Sequence, residues 1–570
     1  MIRREFMLRT LGAAMSAVFA RGSFGQTSSH AGMQGMDDMG SMPGMASMPS
    51  MHHGAGSAHQ TGGAHAMTGS APLASADALP AGAPLAMLRT LPNESREPGV
   101  FRATLVAQPV SRTLLPGHPT TFWQYDGGDG GAGGAEAGPV VGPMIEVREG
   151  DTVEIRFVNR LAQPSTIHWH GLPVPPDQDG NPADAVAPGG SRVYRFTLPP
   201  GSAGTYWYHP HPHQLSAEQV FRGLAGPIIV RAPDDPLAGW PERHLFFTDL
   251  KLAADGAIAP NYMMDWMNGR EGQFVLVNGA RRPRIAMAGD ERWRVWNACN
   301  ARYLLLTLGD DHPFAQVGTD GGLLAAPREG LTRLLLAPGE RAELIVRAKG
   351  GGASDGASAT PAVLTAALYD RRKMSMTMSH GDASLPPSPA MPLADVEFAP
   401  AAAGAAPRVL PARLREIAAP AAPVASKTVV FSEQMDMATM HQPGAGMHGM
   451  PAGMHDLPAG MRFLVNGASF DPARITLTSR RGDVERWSID NQSDMDHPFH
   501  LHGTQFQVVE RVKGGVVTPE PFRAWRDTVN VEPGEIVRIS VQQQTAGERM
   551  FHCHILEHED LGMMGTLKVV

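Results

Sequence analysis

The sequence predicts an all-β protein built from three Greek-key β-sandwich domains, and three recurring patterns predict it. A Gly-Asp turn opens an alternating strand at Gly150-Asp151 (Thr-Val-Glu-Ile-Arg-Phe-Val-Asn), at Gly289-Asp290 (Glu-Arg-Trp-Arg-Val-Trp-Asn) and at Gly482-Asp483 (Val-Glu-Arg-Trp-Ser-Ile-Asp-Asn). Later in each copy a Pro-Gly turn precedes a second alternating strand: Pro188-Gly189 before residues 192–198, Pro338-Gly339 before 342–346, and Pro533-Gly534 before 536–541. Copies two and three also share Leu-Val-Asn-Gly-Ala, at 276–280 and 464–468. Short alternating strands between Gly/Pro turns, with little helical periodicity, read as sandwiches.

From the N-terminus, residues 1–26 carry Arg3-Arg4-Glu5-Phe6-Met7-Leu8 and an apolar run over 11–20, the pattern of a twin-arginine export signal. That run is too short for the roughly 20 residues that cross a bilayer, so the expectation is a periplasmic or otherwise exported chain with no membrane span. Residues 27–87 are rich in Gly, Ala, Ser, Met and His and are expected to be a disordered tail. Met33, Met36, Met39, Met42, Met45, Met48 and Met51 recur every third residue, and His52, His53, His59 and His65 follow. Polyproline II also repeats about every three residues, which would align these thioethers as a copper-collecting arm. The domains are placed at 88–232, 233–405 and 424–570, with an Ala/Pro-rich linker at 406–423. The chain has 48 Lys and Arg against 56 Asp and Glu, a net charge of −8, which argues against sequence-independent binding to nucleic acid. Its two cysteines, Cys299 and Cys553, leave no disulfide framework.

Alignment of copies two and three separates scaffold from chemistry. Asp311-His312-Pro313-Phe314-Ala315-Gln316-Val317 corresponds to Asp496-His497-Pro498-Phe499-His500-Leu501-His502, so the third domain has histidines where the second has Ala and Val. The middle domain therefore reads as a spacer without metal ligands. Four His-X-His pairs lie in the outer domains: His168 and His170, His209 and His211, His500 and His502, His552 and His554. Side chains alternate along a strand, so each pair presents two imidazoles to one side. Eight imidazoles suit a cluster of three copper ions. Cys553, between His552 and His554, must point the other way, and with His497, His558 and Met563 it supplies the His2Cys set with axial Met of a blue-copper site. No CxxC accompanies it, which argues against structural zinc. Cys299, in an apolar strand setting, reads as a core thiol.

His168-Trp169-His170-Gly171, the Trp207–His211 run Trp-Tyr-His-Pro-His, His-Pro-Phe-His-Leu-His-Gly at 497–503 and His-Cys-His-Ile-Leu-Glu-His-Glu-Asp-Leu-Gly-Met-Met at 552–564 together resemble the three-domain multicopper oxidases, whose domains are cupredoxin-like. The resemblance implies four copper ions: type 1 on His497, Cys553, His558 and Met563; type 2 on His168 and His500; and a type 3 pair on His170, His209, His211, His502, His552 and His554. It implies O2 as electron acceptor and Asp179 and Glu559 as proton-relay acids. His213 receives no role. The insert at 433–461, rich in Met and His, resembles that of bacterial cuprous oxidases, and implies a substrate copper held by Met435, Asp436, Met437, Asp494 and Met495. Met374, Met376, Met378 and His380 form a smaller cluster. The expected reductant is Cu(I) or a small phenol, and the expected form a monomer. Cuprous oxidase leads; a laccase-type oxidase of phenols and dyes and a non-enzymatic copper buffer are the alternatives.

Overall fold

The computed structural model describes residues 72–128, 139–348, 361–375, 385–398, 408–436, 439 and 457–570. The signal, the Met/His tail up to residue 71, Met376, Met378 and His380, and Met437 with residues 440–456 of the insert lie outside them.

Six sheets pair into three sandwiches. In the first, a four-stranded sheet (His118–Gly127, Val100–Leu115, Thr152–Asn159, Ser191–Thr197) faces a three-stranded one (Ile145–Arg148, Gly226–Arg231, Gly204–Tyr208). Ile155, Phe157 and Tyr194 from one sheet meet Ile145, Ile228 and Tyr206 from the other in a single core. Seven- and five-stranded sheets make the middle domain, and six- and five-stranded sheets the third, each around its own core.

The repeat seen in the sequence is a repeat of strand pairing. Each strand opened by a Gly-Asp turn runs parallel to the first strand of its domain: Thr152–Asn159 beside Val100–Leu115, Glu291–Asn297 beside Glu242–Leu250, and Val484–Asn491 beside Ala425–Met435. Each is antiparallel on its other side to the strand after the Pro-Gly turn. Burial alternates along Thr152–Asn159 and Val484–Asn491, yet every residue of Glu291–Asn297 is buried. The polar face of that middle strand is covered by the first domain. Arg294 donates to Thr205 Oγ1 and Glu343 at 2.7 Å each, and Trp296 Nε1 donates to the Tyr206 carbonyl at 2.6 Å. The middle domain thus supports the strand Gly204–Tyr208 that leads into His209.

The expectation of disorder through residue 87 fails from residue 72 onward. Ala74, Gly82 and Leu85 donate backbone hydrogen bonds to the carbonyls of Leu252, Arg282 and Arg284. Leu79 is buried with Val110, Phe122, Leu252 and Leu276. The strand edge and apolar seam that order this segment lie far along the chain, so its composition could not reveal them. The linker is also fixed: Arg415 donates to the carbonyls of Gly201 and Gly321, and the Ala418 carbonyl accepts from Gln507. Among the described residues no helix is long and apolar enough to cross a membrane. Leu79→Ala should lower stability by about 2–4 kcal/mol, as for other buried leucines. Calorimetry showing an unchanged unfolding profile would mean that residues 72–87 are not held.

Candidate metal centre

The clustered histidines come from a rung between two chain segments in the first domain and from two paired strands in the third. His168 and His209 exchange backbone hydrogen bonds at 2.8 and 3.2 Å, which brings the pairs 168/170 and 209/211 together. In the third domain His497–Leu501 runs antiparallel to Gly547–Cys553, with His500 opposite His552 and Phe499 opposite Cys553. Alternation then sends His552 and His554 to one side and Cys553 into the core of the third domain. All eight imidazoles of the four pairs are fully buried.

Their hydrogen bonds decide which nitrogen faces inward. Nδ1 of His168, His209, His500 and His552 lies 2.9–3.0 Å from the carbonyls of Asp179, Pro210, Asp527 and Cys553. A carbonyl only accepts, so these rings carry their proton on Nδ1 and point a lone pair inward from Nε2. His170 is reversed: its Nε2 donates to Asp527 Oδ1 at 3.1 Å and its Nδ1 faces inward.

The inward nitrogens then fall into three groups. His168 and His500 meet Nε2 to Nε2 at 3.3 Å. His552 Nε2 lies 3.0 Å from His502 Nε2 and 3.2 Å from His211 Nε2. His170 Nδ1 lies 3.4 Å from His209 Nε2 and 3.2 Å from His554 Nε2. Burial holds His170, His209, His211, His500, His502 and His554 far below the usual histidine range, and His552 at about 3. Facing lone pairs repel, and a cation between them converts repulsion into coordination. The donor set fits metal.

On the far side of Cys553, Sγ lies 3.2 Å from His497 Nδ1 and 3.9 Å from His558 Nδ1, and those two nitrogens are 3.3 Å apart. His558 Nε2 donates to the Met267 carbonyl at 3.1 Å, which turns Nδ1 toward the thiol. Phe463 stacks on His558 at 3.9 Å. Backbone hydrogen bonds tie Met563 to both Cys553 and His558. Burial pushes the Cys553 thiol up, so in this setting a thiolate needs a cation beside it. One thiolate with two imidazoles matches a mononuclear copper site.

The chain is similar to known proteins. Models of the multicopper oxidase family match residues 123–235 and 434–570. A multicopper oxidase of Staphylococcus haemolyticus is 30% identical over 445 residues, covering 76% of this chain and 83% of that protein. The chain belongs to the multicopper oxidases. A solved multicopper oxidase from Campylobacter jejuni is 40% identical, covers 88% of this chain and 98% of its own, and superposes with a TM-score of 0.76. The cell division protein FtsP of Edwardsiella tarda is 30% identical over 496 residues, 84% of this chain and 95% of that protein. A family that includes a cell division protein leaves the activity to be argued from the ligand set. Multicopper oxidases use four coppers and O2, and the buried clusters of this one offer the imidazoles and the thiol for them.

The acids predicted from the sequence lie against the histidines. Asp179 Oδ1 is 3.1 Å from His168 Nδ1 and Oδ2 is 3.3 Å from His502 Nδ1. Glu559 Oε1 is 3.4 Å from His211 Nε2 and Oε2 is 3.3 Å from His552 Nδ1. Burial raises the Asp179 carboxyl and pushes Glu559 up to about 8. The expected substrate-copper residues are less well gathered. Asp436 is exposed and takes hydrogen bonds from Thr439, Asp494 is exposed, and Met495 is fully buried. Met435 ends its strand opposite Met461.

Three side chains were missed in the sequence. Glu433 places Oε2 3.9 Å from His497 Nε2, and both atoms lack a hydrogen-bond partner. Asp527 accepts from His170, and Arg341 of the middle domain grips Asp527 at 2.6 Å. None belongs to a His motif, so no spacing signalled them; the Glu433 position at the head of the insert was the only cue. The middle domain is therefore more than a spacer, although among the described residues it adds no His, Cys, Asp or Glu to the clusters.

Cys553→Ser should abolish the blue thiolate-to-copper absorption and the oxidase activity together, because the hydroxyl is a poor copper ligand. A variant that stays blue would contradict the mononuclear site.

Proposed function

We propose that this multicopper oxidase is an exported cuprous oxidase that serves copper tolerance. His497, Cys553, His558 and Met563 would hold the type 1 copper, His168 and His500 the type 2 copper, and His170, His209, His211, His502, His552 and His554 the type 3 pair. Bound copper supplies one-electron oxidation of the substrate at type 1 and four-electron reduction of O2 to water at the cluster. The chain does the rest. Cys553 reaches the cluster ligands His552 and His554 through one peptide unit on each side, a short covalent route for electrons. Asp179 and Glu559 flank the cluster, and both Asp179 oxygens and Glu559 Oε2 lack hydrogen-bond partners, so they are placed to hold and deliver protons.

The observation that carries the substrate reading is the pair of partnerless atoms at the type 1 rim. Glu433 Oε2 and His497 Nε2 face each other at 3.9 Å, too far for a hydrogen bond, where the strand entering the Met-rich insert passes the site. A carboxylate there can hold a cation beside the His497 ring, which would bridge it to the type 1 copper that takes the electron, and the thioethers of the insert favour Cu(I). The Campylobacter jejuni relative is described as a metallo-oxidase, in keeping with this reading. The same carboxylate could take the proton of a phenol, and a solved relative from Pediococcus acidilactici, 30% identical, is described as a laccase. The Arg3-Arg4 signal supports export in a folded, cofactor-loaded state.

Asp179→Asn and Glu559→Gln should keep the blue colour and reduction by substrate while slowing reoxidation by O2, by about 100-fold or more. Unchanged reoxidation in both would remove them from the proton path. Replacing residues 437–456 with a short Gly/Ser loop keeps the Met435–Met461 strand pair and the type 1 ligands. It should lower Cu(I) turnover several-fold while preserving or raising turnover of bulky phenols. Equal Cu(I) turnover with and without the insert would overturn the cuprous reading in favour of a laccase.

A further inference from the structure

One fully buried ion pair at the cluster has no part in electron or proton transfer as described. Arg341 starts the strand Arg341–Val346 of the middle domain, and Asp527 precedes the strand Thr528–Val531 of the third. The guanidinium grips both carboxylate oxygens, Nη1 to Oδ1 at 2.7 Å and Nη2 to Oδ2 at 2.6 Å. Its other N–H groups donate to the carbonyls of Thr205 in the first domain at 2.9 Å, Gly339 at 2.9 Å and Asp320 at 3.2 Å. One side chain therefore joins all three domains beneath the His168–Gly171 turn. The fit is close: a Cβ on Gly171, whose φ is +84°, would fall 2.2 Å from Asp527 Oδ2. A buried ion pair is a poor means of stabilisation, since well-packed apolar residues usually do as well. Its presence calls for another reason.

Asp527 reaches two imidazoles of the cluster through different oxygens. Its Oδ1 accepts from His170 Nε2 at 3.1 Å, and its backbone carbonyl accepts from His500 Nδ1 at 2.9 Å. The two rings stack, with centroids 3.8 Å apart and planes 12° apart. Because neither oxygen can donate, His170 must be protonated on Nε2 and His500 on Nδ1. His170 then offers Nδ1 toward His554, and His500 offers Nε2 toward His168.

We propose that Asp527 is a positioning residue that imposes opposite tautomers on the stacked His170 and His500, and that Arg341 of the middle domain holds Asp527 in place to do so. Asp179 lies against a second stacked pair, His168 and His502, whose centroids are 3.7 Å apart, and its backbone carbonyl accepts from His168 Nδ1 at 3.0 Å. No hydrogen bond reaches its carboxylate oxygens.

The inference rests on the reading of His170 and His500 as copper ligands, so His170→Ala is compared with Asp527→Asn and Arg341→Lys. Each purified holoenzyme is assayed for copper per chain, copper retention against a chelator, the type 2 electron paramagnetic resonance signal, the blue absorption and thermal unfolding. In Asp527→Asn an amide N–H turned toward His170 favours the wrong tautomer. Cluster copper should be held about 10–100-fold more weakly and the type 2 signal altered, with the blue band intact. Arg341→Lys keeps the charge but only one of the two parallel bonds, and should shift the same readouts to a smaller extent. Parent-like retention and type 2 signal in both variants would overturn the positioning role. Loss of the blue band in step with all other copper would also overturn it, by showing an effect on folding alone. Full copper in His170→Ala would instead sink the ligand reading itself.

Discussion

The repulsion among buried imidazole lone pairs governs the rest of this structure. Carbonyl and carboxylate oxygens bind the outer nitrogens of His168, His170, His209, His500 and His552, so their inner nitrogens have no proton to share. Of these inner atoms, those of His168 and His500 face each other at 3.3 Å and those of His170 and His209 at 3.4 Å, in a fully buried space. Only cations make such an arrangement favourable, and the two outer domains each supply half of the donors. The buried carboxylate of Asp560 also joins these two domains, accepting from the backbone N–H groups of Ser216 and Ala217 across the boundary.

Strand alternation connects the two sites. Because His552 and His554 must face the cluster, Cys553 must face the domain core, where His497 and His558 wait for it. No other spacing of one cysteine and two histidines would give both a separate mononuclear site and a covalent path one peptide unit long. The middle domain secures this arrangement from behind. It supplies the Met267 carbonyl that orients His558, and Gly339, where a Cβ would fall 2.9 Å from the His554 ring.

The sequence carried the repeats, the sandwiches and the His-X-His pairs because each is a local pattern with a fixed period. It did not carry Glu433, Asp527 or Arg341. Their meaning depends on partners such as Arg341 and Asp527, 186 positions apart, and on backbone carbonyls that no residue type encodes. The order of segment 72–87 is hidden in the sequence for a related reason. Its Gly, Ala and Pro suit a strap that pairs through its backbone, and composition cannot distinguish a strap from a free tail when the paired edge lies in another domain.

In a multicopper oxidase of this build, the thiolate site and the imidazole cluster should act as one four-copper unit toward O2. Anaerobic titration of the copper-loaded protein with a one-electron reductant, followed by exposure to O2, tests it most directly. Four electrons should be taken up per chain, one for each copper of the family's set, and returned to O2 as water without release of hydrogen peroxide. Uptake of a single electron per chain, or peroxide as the product, would contradict it.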